Sequence, residues 1–425
     1  MQKRKISFKK EAAQREFERR NKSQSQYSKA KSNSNNKFES QNNFEETPKI
    51  PYFQKNTAEK QSFQNKTEEK PHFQKRTFER PAQQHFSHTT KPAQRYQEQD
   101  MSRFNHPARQ KPVIQHNSFD DDIPVSAVPD ARKGKAFFEE RYQKLGGNCN
   151  PVSLRATIRL NSLLGNEQKI LARLKAIGVT LEKIPFAKQG YWVSSKFSLG
   201  AIQEHFLGYY YVQEAAAQLP VQVLNPQPGE LVLDACASPG GKTTQLSEWM
   251  HCEGTIVSLE RKEHRMPALL HNLERMRVKN VVAYEYDSAE AARLGLEFDK
   301  VLLDAPCSGN YADDPVWFEK RDMTGVLTSV GIQRRLLGEI IKLVKHGGIL
   351  VYSTCSLEPE ENELNMQWLL ERGGIVIEPS GLSVGDPGLT TVFGRKLHAS
   401  IANCRRLWPH SSGTQGFFVA RIRRL

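Results

Sequence analysis

The six cysteines of this 425-residue chain, Cys149, Cys236, Cys252, Cys307, Cys355 and Cys404, include no CxxC pair. That spacing points away from a zinc site and away from a disulfide framework, so the thiols read as free, the compartment as reducing and the metal complement as none. No run of about 18 apolar residues occurs, and the N-terminus MQKRKISFKK has no apolar core. Neither a membrane span nor a secretory signal is therefore expected, and the chain reads as cytoplasmic, or nucleolar in a eukaryote. A Walker A loop is missing as well: in GGKT the only glycines are adjacent, which disfavours a nucleoside triphosphatase.

Aliphatic residues are scarce in the first hundred positions, where Gln, Asn, Lys and Ser surround isolated Phe. Such a segment cannot bury enough surface to offset its ordering entropy, so residues 1–130 are expected to form a disordered tail. Residues 1–110 carry 24 Lys and Arg against 12 Asp and Glu, while the other 315 residues balance at 37 against 35. A positive excess confined to one arm suits a polyanion, and RNA is the leading partner; a solvated, solubilising tail is the plainer reading. Inside the arm lies a ten-residue repeat, PYFQKNTAEK, QSFQNKTEEK and PHFQKRTFER, with Phe53, Phe63 and Phe73 in register. Stacking on bases and drifted repeat expansion both account for it.

Order is expected from RKGKAFFEERYQKL, where Phe137, Phe138, Tyr142 and Leu145 recur at helical spacing. SLRATIRL alternates like a strand, NEQKILARLKAIG reads as a helix ended by Gly178, and VTLEKIP and GYWVSS return as strands. GAIQEHFLGYYYVQEAAAQLP is expected to close this unit as a helix, giving a small α/β RNA-binding domain over residues 131–222. Arg155 and Arg159 share one face of the first strand, as RNA contacts or as plain edge charges.

From residue 223 to 425 apolar strands alternate with helices of 10 to 15 residues, which predicts a Rossmann-like, doubly wound, mostly parallel α/β sheet. The final GFFVARIRR alternates apolar and basic residues and is expected to be an antiparallel edge strand. In such sheets the ligand crevice opens at the carboxyl ends of the strands.

Four motifs fall at those ends. DACASPGGKTT, Asp234 to Thr244, joins a strand to a helix, and its adjacent glycines let backbone amides approach an anionic group. The next strands end in Glu260, suited to ribose hydroxyls, in Asp287, suited to an adenine amino group, and in Asp304. Any one of these acids is explained equally well as a helix cap; the set describes a dinucleotide or S-adenosylmethionine pocket. Cys307 in DAPCSG and Cys355 in STCSLEPEENE follow consecutive strands. A buried hydrophobe is the usual fate of a free Cys and suits Cys149, Cys252 and Cys404; it suits these two poorly. Nearby Glu358, Glu360, Glu361 and Glu363 are expected to oppose thiolate formation.

Together DACASPGGKTT, DAPCSG, STCSLEPEENE and the terminal RRLWPHSSGTQGFFVARI resemble the RsmB/Nop/Sun family of RNA cytosine-5 methyltransferases, from about Phe137 to the C-terminus. The resemblance implies a class I methyltransferase fold and S-adenosylmethionine as cofactor, held by Cys236, Ala237, Ser238, Pro239, Gly240, Gly241, Lys242, Glu260, Asp287 and Asp304. It implies that Cys355 attacks carbon 6 of a cytosine, that Cys307 assists release, and that Asp304 hydrogen-bonds near ring nitrogen 3. The target base must leave its stack to reach these groups. Two features depart from the family pattern: Ser238 stands where Ala is commoner, and NYADDPVWFEKR replaces the frequent Thr-Gly continuation after DAPCSG.

A DNA cytosine methyltransferase would carry Gln after its Pro-Cys cysteine, where Ser308 stands, and an amino-group methyltransferase would carry an Asn/Asp-Pro-Pro-aromatic loop. A non-catalytic RNA-binding or ribosome-assembly factor is the alternative from another class; it predicts decay of the cofactor loop or of one thiol, and both are intact. The absence of an obvious C-terminal module leans toward transfer rather than ribosomal RNA.

Overall fold

The computed structural model describes residues 132–425; the basic tail and its decapeptide repeat lie outside the described residues. The first helix, α1 (Lys135–Lys144), buries Phe138 and Tyr142. These rings pack with Tyr311, Trp317, Leu357 and Trp408, so this helix, sequentially part of the small domain, seats on the larger one.

The small domain is a four-stranded antiparallel sheet in the order β2-β3-β1-β4, from β1 (Thr157–Leu160), β2 (Thr180–Lys183), β3 (Gly190–Ser194) and β4 (Tyr210–Val212). Helix α2 (Glu167–Ala176) starts where the Asn166 side chain accepts from the Gln168 amide at 2.7 Å, and it ends before Gly178, whose φ of 87° stops a helix. It lays Ile170 and Leu174 on Ile158, Leu160 and Tyr191 of the sheet.

Two expectations fail here. The stretch expected as one helix, residues 200–220, is instead a single helical turn, Gln203–Phe206, then strand β4, and only at Ala216–Gln218 a further turn that runs into the next helix. Gly208 at φ 77° breaks the helix, and the aromatic run Tyr209 to Tyr211 then pairs with β1, as aromatics on a half-buried sheet favour. Nor is β1 an edge strand: it is flanked by β3 and β4, all four residues are buried, and Arg159 is completely so. Arg155 lies before the strand, exposed, paired with Glu182.

Helix α3 (Leu219–Leu224) leads into the main sheet, of order β11-β14-β15-β9-β8-β5-β6-β7 with β10 also on β15. Strands β5 (Leu231–Asp234), β6 (Thr255–Glu260), β7 (Val281–Glu285), β8 (Phe298–Asp304) and β9 (Val344–Thr354) are parallel. Their successive residues alternate between two cores: Leu233, Val301, Leu303 and Leu350 face one, Val232, Leu302, Ile349 and Val351 the other. Burial on both faces is why the inner strands β5, β6 and β8 carry apolar runs, whereas β7, at the sheet edge, is only partly covered. Helices α4 (Gly241–Trp249), α5 (Met266–Arg275), α6 (Met323–Ile340) and α7 (Glu363–Glu371) cover them.

The last strand, β15 (Phe417–Arg424), is antiparallel, but it is not an edge. It pairs with β9 on one side and with β10 (Ile375–Glu378) and β14 (Arg405–Leu407) on the other, and β14 carries the short β11 (Asp386–Pro387). Its arginines stay half-exposed by pairing: Arg421 and Arg423 both bond Glu378. A hairpin of β12 (Thr391–Val392) and β13 (Arg395–Lys396) stands apart. Among the described residues no helix is long and apolar enough to cross a membrane.

Candidate active site

The cofactor loop leaves β5 at Asp234 and enters α4 at Gly241. Gly240 sits at φ 102°, a conformation side chains rarely adopt, and a Cβ on Gly241 would lie 3.3 Å from the Tyr211 ring. Arg265 closes the loop: it donates to the Ser238 carbonyl at 2.6 Å and stands 3.1 Å from Glu260, whose other oxygen accepts from the Lys262 amide at 2.8 Å. The Ser238 hydroxyl donates to the Arg265 carbonyl at 3.1 Å, so the residue that departs from the family pattern reinforces this closure. Asp287, after β7, accepts from the Ala289 amide at 3.0 Å, a cap on the following turn, and keeps its other oxygen 3.8 Å from Arg335.

Asp234 and Cys236 lie beneath the loop. Asp234 takes a 2.7 Å bond from Thr243 on one oxygen, while the other is buried with no partner among the described residues. Burial pushes the Asp234 carboxyl up to about 6 against the bond from Thr243, and the nearby Asp304 pushes the same way. Burial also pushes the Cys236 thiol well up, leaving it a packing group. A buried carboxylate oxygen awaiting a donor, a glycine turn open to a ligand and a carboxylate at the end of β6 fit an aminoacyl nucleoside such as S-adenosylmethionine. The residues Cys236 to Lys242, Glu260, Asp287 and Asp304 would hold it.

Asp304, at the end of β8, accepts from Lys242 at 2.6 Å and from Ser353 at 2.7 Å. Burial disfavours the Lys242 ammonium, but Asp304, joined by Asp234 and Cys355, more than offsets it and the ammonium is held above its ordinary value. The structure thus places Lys242, read from the sequence as a loop residue, directly on the Asp304 carboxylate.

Cys307 and Cys355 meet sulfur to sulfur at 3.2 Å. The bond to Cys355 and burial push the Cys307 thiol far above its ordinary value. Asn310 ties their loops together, donating to the Cys355 carbonyl at 2.8 Å and to the Gly416 carbonyl at 3.2 Å. Trp317, from the unusual NYADDPVW segment, donates to the Ser308 carbonyl at 2.8 Å.

The four glutamates after Cys355 do not pool their charge against it. Glu358 takes Arg141 and Tyr142, at 2.9 and 2.7 Å, and Glu360 takes Arg141 at 2.8 Å. Glu361 takes Gln333 at 2.6 Å and Ser356 at 2.9 Å, and Glu363 takes the buried Arg406. Glu358, Glu360 and Glu363 are paired with arginines, but Glu361 is bonded only to neutral groups and still helps to hold the Cys307 thiol up, so the expected opposition to a thiolate persists in that one residue. Asn310, Ser353, Arg141 and Arg265 escaped the sequence reading because their partners lie far along the chain. Among the described residues no cluster of three or more His, Cys, Asp or Glu is arranged to hold a metal.

A family model described as 16S rRNA methyltransferase RsmB/F matches residues 221–423, and one described as the N-terminal domain of 16S rRNA methyltransferase RsmF matches residues 131–215. The tRNA (cytosine(49)-C(5))-methyltransferase of Pyrococcus abyssi is 36% identical over 300 residues, 67% of this chain and 94% of that protein. The chain belongs to the RsmB/Nop/Sun family. The human 28S rRNA (cytosine(4447)-C(5))-methyltransferase is 35% identical over 284 residues, 65% of this chain. That match spans only 35% of the human protein, so the chain covers about a third of it. A solved methyltransferase homologue from Pyrococcus horikoshii, 40% identical, superimposes with a TM-score of 0.60 over 64% of this chain and 87% of its own. The RsmB/Nop/Sun fold therefore carries both the small sheet and the class I methyltransferase sheet described above.

Proposed function

We propose that this RsmB/Nop/Sun member transfers a methyl group from S-adenosylmethionine to carbon 5 of a cytosine in structured RNA, through a covalent adduct on Cys355. The observation that carries this reading is the contact of two thiols, at the ends of adjacent strands, beside the Lys242–Asp304 pair. An RNA-binding factor without catalysis needs none of these groups.

The Cys355 thiolate bonds to carbon 6 and pushes the electron pair of the ring double bond onto carbon 5. Asp304 meets the base edge at ring nitrogen 3, the proton shared there passes to it from the Lys242 ammonium, and Lys242 keeps the carboxylate in place. When bound, the cofactor supplies an electrophilic methyl, which carbon 5 takes. A water molecule takes the carbon 5 proton, and the electron pair left behind restores the ring double bond as the carbon–sulfur bond breaks. Cys307 donates its S–H to the departing Cys355 sulfur, which makes it a better leaving group.

Transfer RNA is favoured, because the chain spans 94% of an enzyme named for tRNA and 35% of one named for 28S rRNA. The two family descriptions name 16S rRNA, which makes ribosomal RNA the second reading. Bisulfite sequencing of both RNA pools, from cells with and without the gene, tests both: a cytosine protected only when the gene is present identifies the substrate. No such cytosine in either pool would sink the assignment.

A further inference from the structure

Helix α4 is gripped on two faces. On one, Lys242 reaches Asp304 and Thr243 reaches Asp234. On the other, Gly241, Thr244 and Glu248, three and seven residues apart, all meet one side chain from the small domain: Arg159 of β1. Its guanidinium donates to the Gly241 carbonyl at 2.6 Å, to Thr244 at 2.8 Å and to both oxygens of Glu248 at 2.8 and 3.3 Å, and it also bonds Gln213. Arg159 and Glu248 are both completely buried. Tyr211 of β4 packs at Gly241, and Asn272 donates to the Pro239 carbonyl at 2.9 Å and to the Tyr211 hydroxyl at 3.3 Å.

One carbonyl of the cofactor loop, that of Gly241, is thus held by the small sheet, while that of Pro239 is held by Asn272 of α5, which is itself bonded to Tyr211 of the small sheet. A peptide group points its N–H opposite to its C=O, so the Arg159 contact turns the Lys242 amide away from the small domain. The amide of Gly240 is spent on Ala237, at 2.7 Å, which keeps the turn tight.

We propose that Arg159 is a positioning residue through which the small domain holds the cofactor loop, so that affinity for the aminoacyl nucleoside depends on the docked small sheet. This rests on the cofactor reading above. Arg159 touches neither cofactor nor base; it fixes the axial position and rotation of α4, and with them the loop, Lys242 and Asp304. Burying a charged pair for stability alone is a poor use of it, since apolar residues of the same shape serve as well. A fork that reaches a loop carbonyl and a helix face at once supplies what apolar residues cannot, which is orientation.

The test uses the full chain as wild type, Arg159→Lys, and the double variant Arg159→Met with Glu248→Met, which leaves no buried charge unpaired. Binding of S-adenosylhomocysteine is measured by calorimetry, melting by circular dichroism, and binding of bulk tRNA without cofactor by filter retention. The double variant should melt within a few degrees of wild type and keep its tRNA affinity within about twofold, yet bind S-adenosylhomocysteine about tenfold more weakly. Arg159→Lys should fall between, because an ammonium keeps the pair with Glu248 but lacks the fork. Unchanged S-adenosylhomocysteine affinity in both variants overturns the proposal, as does a loss of cofactor and tRNA binding together in step with melting. A wild type that binds no S-adenosylhomocysteine overturns the methyltransferase reading itself.

Discussion

The sulfur atoms of Cys307 and Cys355 stand 3.2 Å apart, one after each of the adjacent parallel strands β8 and β9. Two touching thiols lose their protons in coupled steps, and the contact together with burial pushes the Cys307 thiol well above its ordinary value. Replacing Cys355 by Ala should abolish both methylation and any RNA adduct that survives denaturing electrophoresis. Replacing Cys307 by Ala should instead let that adduct accumulate while turnover stops. Full activity in the Cys355 variant would refute the mechanism.

Lys242 is bonded to Asp304 at 2.6 Å, so Lys242→Met strips the carboxylate of its counter-charge while keeping the length of the side chain. The rate of methyl transfer in a single turnover should fall by about two orders of magnitude, the usual scale for one preorganised electrostatic group. A rate within a few-fold of wild type would assign Lys242 to the loop's structure alone.

Burial pushes the Glu358 carboxyl up to about 7, against Arg141 and the bond from Tyr142 and with the help of Glu360. Between its ordinary 4.5 and about 7 the folded chain keeps a proton that the unfolded chain has released. Its contribution to stability is therefore complete below 4.5 and lost as the pH rises through about 7. The melting temperature should drop on going from weakly acidic to weakly alkaline buffer. Glu358→Gln should flatten the upper part of that drop, leaving the part due to Asp234, whose carboxyl lies at about 6. Parallel melting curves for the two proteins across that range would contradict this.

Trp317 is 2% exposed, packs edge-on against Phe138 at 4.6 Å between ring centroids, and holds the Ser308 carbonyl. Trp317→Ala should cost about 3 to 5 kcal/mol by denaturant titration, the range for an emptied aromatic site in a core. The cost should fall on activity too, since the emptied site lies under the Cys307 loop.

Residues 1–110 hold an excess of 12 positive charges. Removing residues 1–131 should weaken RNA binding and make the plot of log affinity against log salt concentration shallower. The same slope with and without the segment would show that it meets no phosphates.

The parallel strands were legible because burial on both faces leaves an apolar run whatever packs against it, and the turn glycines and strand-end acids marked the crevice. Residues 200–220 were misread because three tyrosines in a row suit helix and sheet alike until β1 offers a partner. The terminal strand was misread because alternating arginines resemble a solvent edge, whereas Glu378 neutralises them within the sheet.

The sequence by itself determined the chemistry: the thiols, the acids and the glycine loop lie in short local motifs whose spacing along the chain is set by strand-to-helix turns. Only the tertiary structure decided which groups act on which. The Cys307 to Cys355 contact, the Lys242 to Asp304 pair and the seat of Arg159 against α4 join residues 48, 62 and 82 to 89 positions apart. Contacts of that range are fixed by strand order and domain docking, which no local pattern encodes.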